Sequence, residues 1–502
     1  MSAELERLKL RNRELELRLS RFIKRFLGKK SEKIDPRQLE LLFDSDLEKP
    51  QASDGPAPEE AVSNQSEQPV RPTRRRGGHR SRIIGLDQIE EQVEEIIPDM
   101  VEANPQDYER IGEETSEVLD YIPSKLVRRR IIRGKYRLKA QRHLPPVVAP
   151  APLTPLLGGL PSAALLAYLL NGKYIDHLPL YRLQGILARM GVTIPRDLII
   201  HWIHQAIGIL EAVANAIREQ TLSQSYIQVD ETPVRYLKPG NGKACQGYLW
   251  VVNAPGRGLY YHWGVERSTD ELCRAIGENY EGMLQCDAYS AYTSYQKRQP
   301  ETSGLSLGAC LAHIRRNFVD ILDDGWHRDA ALMVHLMGLL YGIEKHLREK
   351  LKAGPGLRHS VRAWQSAPVY HRIGKVIDIL LPRYRPSDPM CKALSYAKSN
   401  WKRIGEYLRD GRVEIDNNLA ENAVRPIKLG AKNWLFFGSE GAGHNAALIY
   451  TIVENCRRHN LHPEQYLAEL LTKLAANQDP EYAATLTPAR IAQARARKSS
   501  AA

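Results

Sequence analysis

The chain has 502 residues, of which 43% are hydrophobic and 26% charged, with a formal net charge of +12. This length exceeds one ordinary core and points to roughly two to four domains, and the composition is that of a globular protein rather than a disordered or fibrous one. The basic balance favours a nucleic acid partner over a membrane surface or a ribosome, and 6 scattered cysteines with no CxxC pair exclude a small disulfide framework and suit a reducing cytosol.

The N-terminus is charged from its first turn and has no apolar core of the secretory kind, and no stretch is long and unbroken enough for a transmembrane helix. Leu5, Leu8, Asn12, Leu15, Leu19, Phe22 and Phe26 alternate at spacings of three and four, the a/d seam of a short coiled coil over 1–43. Asn12 on an a position favours one register, so this helix either dimerises the chain or packs on its own body. Residues 44–82 turn to Pro, Ser, Glu, Gln and Gly and read as a disordered linker. The linker ends in Arg71, Arg74, Arg75, Arg76, Arg80 and Arg82, a run suited either to phosphates or to solvent.

Short alternating stretches, Glu117 to Ile122 and Lys125 to Tyr136, predict a small β-rich module over 83–145, the second stretch carrying Arg128, Arg129, Arg130 and Arg133. A Pro-rich stretch from Leu144 to Pro161 separates it from a helical region, 146–222. There Leu180 to Met190 reads as one helix, Gly191 turns, and Thr193 caps a second helix entered through Pro195. This outline fits a DNA-reading helix-turn-helix or an ordinary helix pair.

From Tyr226 four extended segments follow, Tyr226 to Glu231, Pro233 to Leu237, Gly247 to Asn253 and Leu259 to Val265. A helix near Asp270 to Ile276 and a fifth strand, Met283 to Asp287, complete a mixed α/β core over 223–320. Residues 321–407 are almost wholly helical and read as an insertion. The core resumes over 408–460, with a glycine-rich loop to Gly443 and a helix from His444 to His459, before a basic, alanine-rich tail at 461–502.

Phosphodiester chemistry with two divalent ions needs carboxylates that hold the ions about 4 Å apart, and Mg2+ or Mn2+ calls for hard oxygen donors. Asp230 ends the strand Tyr-Ile-Gln-Val and Asp287 ends Met-Leu-Gln-Cys, and such positions are rigid yet reach a cleft. Glu231, next in its strand, points to the opposite face. A third acid comes from EIDNNLAENAVRPIKLGAKNWLFFGS, where Asp416, Asn417 or Asn418 caps a helix, Glu421 lies a turn inside it and Pro426 limits it. Aspartates also commonly end strands to start turns, and an acid in a first helical turn already complements the macrodipole. Spacing alone leaves both readings open.

Taken together, VDETPVRYL, QCDAYSAY, CLAHIRRNF and the segment around Glu421, with FLGKKSEK at 26–33 and NGKYIDHLPLYRLQGILARMGV, closely resemble transposases of the insertion-sequence 66 type over nearly the whole chain. The resemblance implies a fold like ribonuclease H with a helical insertion before the last acid. It implies a D-D-E triad of Asp230, Asp287 and Glu421 binding two Mg2+ or Mn2+ ions, and cut-and-paste DNA transposition. DNA ends and target DNA are the implied partners, with accessory proteins of the same element, self-association through the coiled coil, and a bacterial cytoplasmic location on the nucleoid when DNA is bound. The family usually carries a cysteine-based zinc module before the catalytic part, but 83–145 contains no cysteine, so no zinc is expected there.

His313, Arg315 and Arg316 open a helix after Cys310 and are candidates for DNA phosphates, with a structural histidine as the other reading. Arg425, Lys428, Lys432, Asn433 and Trp434 form a basic group with an aromatic beside Glu421, suited to gripping a strand and stacking a base. GSEGAG at 438–443 lacks the Lys-Ser/Thr ending of a phosphate loop and reads as a tight turn. A nuclease or resolvase on the same fold, and a DNA-binding regulator with a vestigial core, are the competing functions.

Overall fold

The computed structural model describes residues 125–132, 135–136, 147–148, 152–156, 160–287, 289–300 and 302–501, all within the unit Pro123–Ala502. The coiled coil, the basic linker with Arg74, Arg75 and Arg76, and most of the expected β-rich module lie outside the described residues. Within the stretch Lys125 to Tyr136, residues 125–132 are irregular and Lys135–Tyr136 (β1) pairs with Val147–Val148 (β2) from the Pro-rich stretch.

Three helices follow: α1 (Ala163–Tyr174), α2 (Leu180–Arg189) and α3 (Arg196–Leu222). Ser162 caps α1 by accepting from the Leu165 N–H, as its side-chain chemistry dictates. Gly191 takes the turn after α2 at φ +92, a backbone state that glycine enters without a Cβ penalty. The cap of α3 is Pro195 rather than Thr193. With 27 residues, and Ile199, Ile203, Ile207, Leu210 and Val213 buried along it, α3 is a central pillar of the core.

The sheet runs in the order β5-β4-β3-β6-β7. Strands β3 (Tyr226–Leu237), β4 (Ala244–Ala254) and β5 (Gly258–Gly264) are antiparallel neighbours, whereas β6 (Met283–Cys286) and β7 (Ser306–Ala309) run parallel to β3. The two extended segments expected at Tyr226 to Glu231 and Pro233 to Leu237 are one strand. The Pro233 carbonyl accepts from Lys428 Nζ at 3.2 Å, and the C=O and N of one strand residue share a side. The missing N–H therefore faces an edge that β6 has already left, and no ladder bond is lost.

Helices α4 (Thr269–Ile276) and α5 (Ser290–Arg298) cover one face, closing a core of Ile227, Val229, Trp250, Leu272 and Tyr292. On the other side, α13 (Glu440–Arg458) protects the edge strand β5: Asn455 bonds the Leu259 N–H and C=O, and Thr451 accepts from the Tyr261 N–H. α13 begins at Glu440, capped by Ser439, so the glycines read as a turn lie mostly in its first turn. A Cβ on Gly443 would come within 2.4 Å of the Trp263 ring, which makes close helix-sheet approach the reason for glycine. Gly443→Ala should lower the unfolding free energy by about 1–3 kcal/mol through overpacking, read as a lower denaturant midpoint at unchanged slope. An unshifted midpoint refutes that account.

The insertion packs α6 (Leu311–Asp324), α7 (Arg328–Lys345), α8 (Pro355–Val361), α9 (Ala367–Leu380), α10 (Pro389–Ile404) and the short α11 (Glu406–Arg409) around a second core that includes Phe318, Met333, Ile377 and Leu394. π-helical turns at His346–Lys350 and Arg362–Ser366 extend α7 and join α8 to α9. The chain then enters α12 (Asn418–Trp434), and the C-terminal helices α14 (Pro463–Ala476), α15 (Pro480–Thr485) and α16 (Pro488–Ala501) close the fold. α12 continues through Pro426 to Trp434 instead of stopping there. The carbonyl that loses its bond to a proline ring belongs four residues back, to Asn422, which is exposed and can bond water. Among the described residues no helix is long and apolar enough to cross a membrane.

Candidate active site

The parallel register of β3 and β6 aligns Tyr226 with Met283 and Gln228 with Gln285, and the ladder ends there. Two residues beyond the last pair on each strand come Asp230 and Asp287, so one register carries both acids to the point where the strands part. Gln228 and Gln285 share a hydrogen bond of 3.0 Å just below them, which fixes that level of the sheet. β4 continues to pair with β3 through this region, Asp230 lying opposite Val251, so at Asp230 the strand has a strand neighbour on one side only.

Burial raises the Asp230 carboxyl to about 8, and the negative charges of Glu231, Glu421 and Asp287 push it the same way. Acids from β3, the end of β6 and the first turn of α12 therefore bear on one another electrostatically. Asp287 accepts from the Tyr289 N–H at 3.1 Å and from Arg267 at 3.2 Å. The same guanidinium donates to Glu231 at 2.5 Å and stacks on Tyr289, 3.8 Å from its ring centre. Tyr292 donates to the other Glu231 oxygen at 2.8 Å. Glu231 is thus turned to the face of α5, as strand alternation requires, and is paired there with Arg267.

Glu421 lies in the first turn of α12, with Oε1 3.7 Å from His313 Nδ1 of α6. Asp416 plays a different part: it is 4% exposed and accepts from the backbone and side-chain nitrogens of Asn418, holding the turn into α12. Lys428 bonds the open edge of β3, and burial lowers its ammonium while the charge of Asp230 opposes that shift. Arg425, Lys432 and Asn433 are exposed along α12. Trp434 is partly buried and stacks on Phe437 with ring centres 4.7 Å apart, which leaves Phe436, at 40% exposure, as the more open aromatic of that turn. Arg315 is partly buried and Arg316 exposed on α6.

Sequence reasoning missed Arg267. It stands in the loop between β5 and α4, where an isolated arginine carries no local signal. Cys310, by contrast, had a readable one, the C-x-x-H spacing to His313 at the start of α6.

The family model described as Transposase IS66 family matches residues 158–445, which contain all the residues placed above. Two proteins of Sinorhizobium fredii are similar over most of the chain. Protein y4qI is 32% identical over 401 residues, 77% of this chain and 73% of its own length, and protein y4jD is 30% identical over 379 residues, 73% of each. With more than half of its length matched and its sheet, insertion and acidic cluster inside the match, the chain belongs to the IS66 family of transposases.

Proposed function

We propose that this transposase is a D-D-E enzyme that cleaves DNA at the ends of its mobile element and joins the freed 3′ hydroxyl to target DNA. The observation that carries the reading is the placement of Asp230 and Asp287 two residues beyond the last pair of β3 and β6, with Glu421 near enough for its charge to add to the burial that raises the Asp230 carboxyl. Hard oxygen donors from three separate elements, with too few positive groups to neutralise them, suit Mg2+ or Mn2+. Asp230, Asp287 and Glu421 would hold such ions, which when bound supply an activated water or hydroxyl and stabilise the leaving oxygen.

The protein's own groups do the positioning. Arg425 and Lys432 follow Glu421 on α12 at helical spacing and extend a positive row away from the acids, suited to the phosphates of a bound strand. Arg267 keeps Glu231 paired and steadies Asp287. The strand order, three antiparallel strands followed by two parallel ones with a helical insertion before α12, supports a ribonuclease H-like core. Self-association through 1–43 and accessory proteins of the same element belong to the same reading.

The test incubates the full chain with element-end DNA, target DNA and Mg2+. Joined product is expected from the wild type, and Asp230→Ala, Asp287→Ala and Glu421→Ala should lose cutting and joining while retaining DNA binding. Cutting without joining would favour a nuclease or resolvase. Metal-dependent cutting that survives in Asp230→Ala would sink the triad.

A further inference from the structure

Cys310, His313 and Glu421 bring a sulfur, a ring nitrogen and a carboxylate oxygen within 4.8 Å of one another. Cys310 is the N-cap of α6 and His313 its third residue, so one helical end presents both, and α12 supplies Glu421 from the other side. His313 Nδ1 and Glu421 Oε1 are buried atoms with no hydrogen-bond partner. At 3.7 Å they face each other beyond hydrogen-bond reach. Cys310 Sγ accepts from the Asn417 N–H at 3.4 Å. Two buried polar atoms left unpaired beside a sulfur cost free energy that a cation between them would recover.

We propose that these three side chains form a binding site for one soft divalent cation of the Zn2+ or Co2+ kind. Nitrogen and sulfur donors select such ions over Mg2+. Around a tetrahedral ion with bonds of about 2.0–2.3 Å, ligand atoms stand roughly 3.3–3.8 Å apart. The His313–Glu421 pair already meets that spacing, and small rotations bring in the sulfur. His313 and Glu421 side chains retain 26% and 28% exposure, so the pair reaches solvent, from which a water would supply the fourth ligand. Binding breaks the Cys310 S–H bond and releases its proton to solvent, with no change of oxidation state. The expectation of no zinc rested on the cysteine-free residues 83–145 and does not bear on this place. The site shares Glu421 with the proposed triad but rests on the placement of Cys310, His313 and Glu421 alone.

The experiment is a Co2+ titration of the full chain followed by absorption. The expected result is a thiolate-to-cobalt charge-transfer band that saturates at one ion per chain and is displaced by Zn2+. Cys310→Ser should abolish the band, and His313→Ala and Glu421→Gln should each weaken Co2+ binding at least about tenfold, in variants whose circular dichroism matches the wild type. If Cys310→Ser does not fold, His313→Ala and Glu421→Gln carry the test alone. A band of full strength in Cys310→Ser, or undiminished affinity in both other variants, overturns the site. Cobalt binding with no joined DNA would leave the site standing and refute the proposed function; joined DNA without the band would do the reverse.

Discussion

Asp230→Asn is expected to make the metal-free protein more stable at alkaline pH while reducing DNA cleavage and joining to background. The folded carboxyl sits at about 8 against an ordinary value of 3.8, raised first by burial and then by Glu231, Glu421 and Asp287. Between those values the folded state keeps a proton that the unfolded chain has released. Stability therefore falls as pH rises through the window and the full penalty is present above it. At about 1.4 kcal/mol per pH unit the penalty is at most about 6 kcal/mol. Asparagine keeps the shape and removes the charge. Unfolding midpoints in chelator at pH 5, 7 and 9 should show the variant gaining on the wild type as pH rises, and added Mg2+ should stabilise the wild type more than the variant. A gap that is the same at all three pH values would refute the electrostatic account.

The legible parts of this site were those with a local period. Asp230 and Asp287 close apolar runs with two-residue alternation, and the same alternation turned Glu231 to the other face, where Tyr292 holds it. The register that sets the two aspartates level depends on pairing between residues 57 positions apart, Gln228 and Gln285, and no local pattern encodes it. Pro426 is expected to limit its helix because proline lacks an N–H, yet the carbonyl it frees belongs to an exposed residue; the segments Tyr226 to Glu231 and Pro233 to Leu237 join into one strand because the edge at Pro233 is open. Gly443 was misread for the converse reason: its demand is the Trp263 ring packed against it, a contact made only in the assembled fold. Trp434 carried a surface role on paper, but its stack on Phe437 is set by the bridge between Phe437 and Tyr236 of β3.

The insertion is tied to the acid-bearing segment by charge, and breaking that tie should cost more than any surface change. Arg362 is fully buried and donates to both oxygens of Glu344, at 2.7 and 2.8 Å, and to the carbonyls of Tyr407 and Asp410. Arg358 reaches Glu344 at 3.1 Å and grips both oxygens of Glu414 at 2.8 Å. Burial alone would push the Glu344 carboxyl up, but the two guanidiniums hold it below its ordinary range. The Glu414 backbone in turn donates to Tyr226 and accepts from Gln285, and the Asp416 carbonyl accepts from Gln228, so the network runs from the insertion to the sheet beneath Asp230. Arg362→Leu leaves Glu344 buried with one partner and should destabilise by about 3–5 kcal/mol. The double change Glu344→Leu with Arg362→Leu removes both charges and should recover most of that loss, since Arg358 keeps Glu414. Denaturant midpoints of the two singles and the double give the coupling directly. A double variant as unstable as the sum of the singles would show that the pair does not act as a unit. The coupling matters for the site because the same buried pairs hold the chain that leads within a few residues to Glu421, so Arg362→Leu should also reduce joining at temperatures where the variant is still folded.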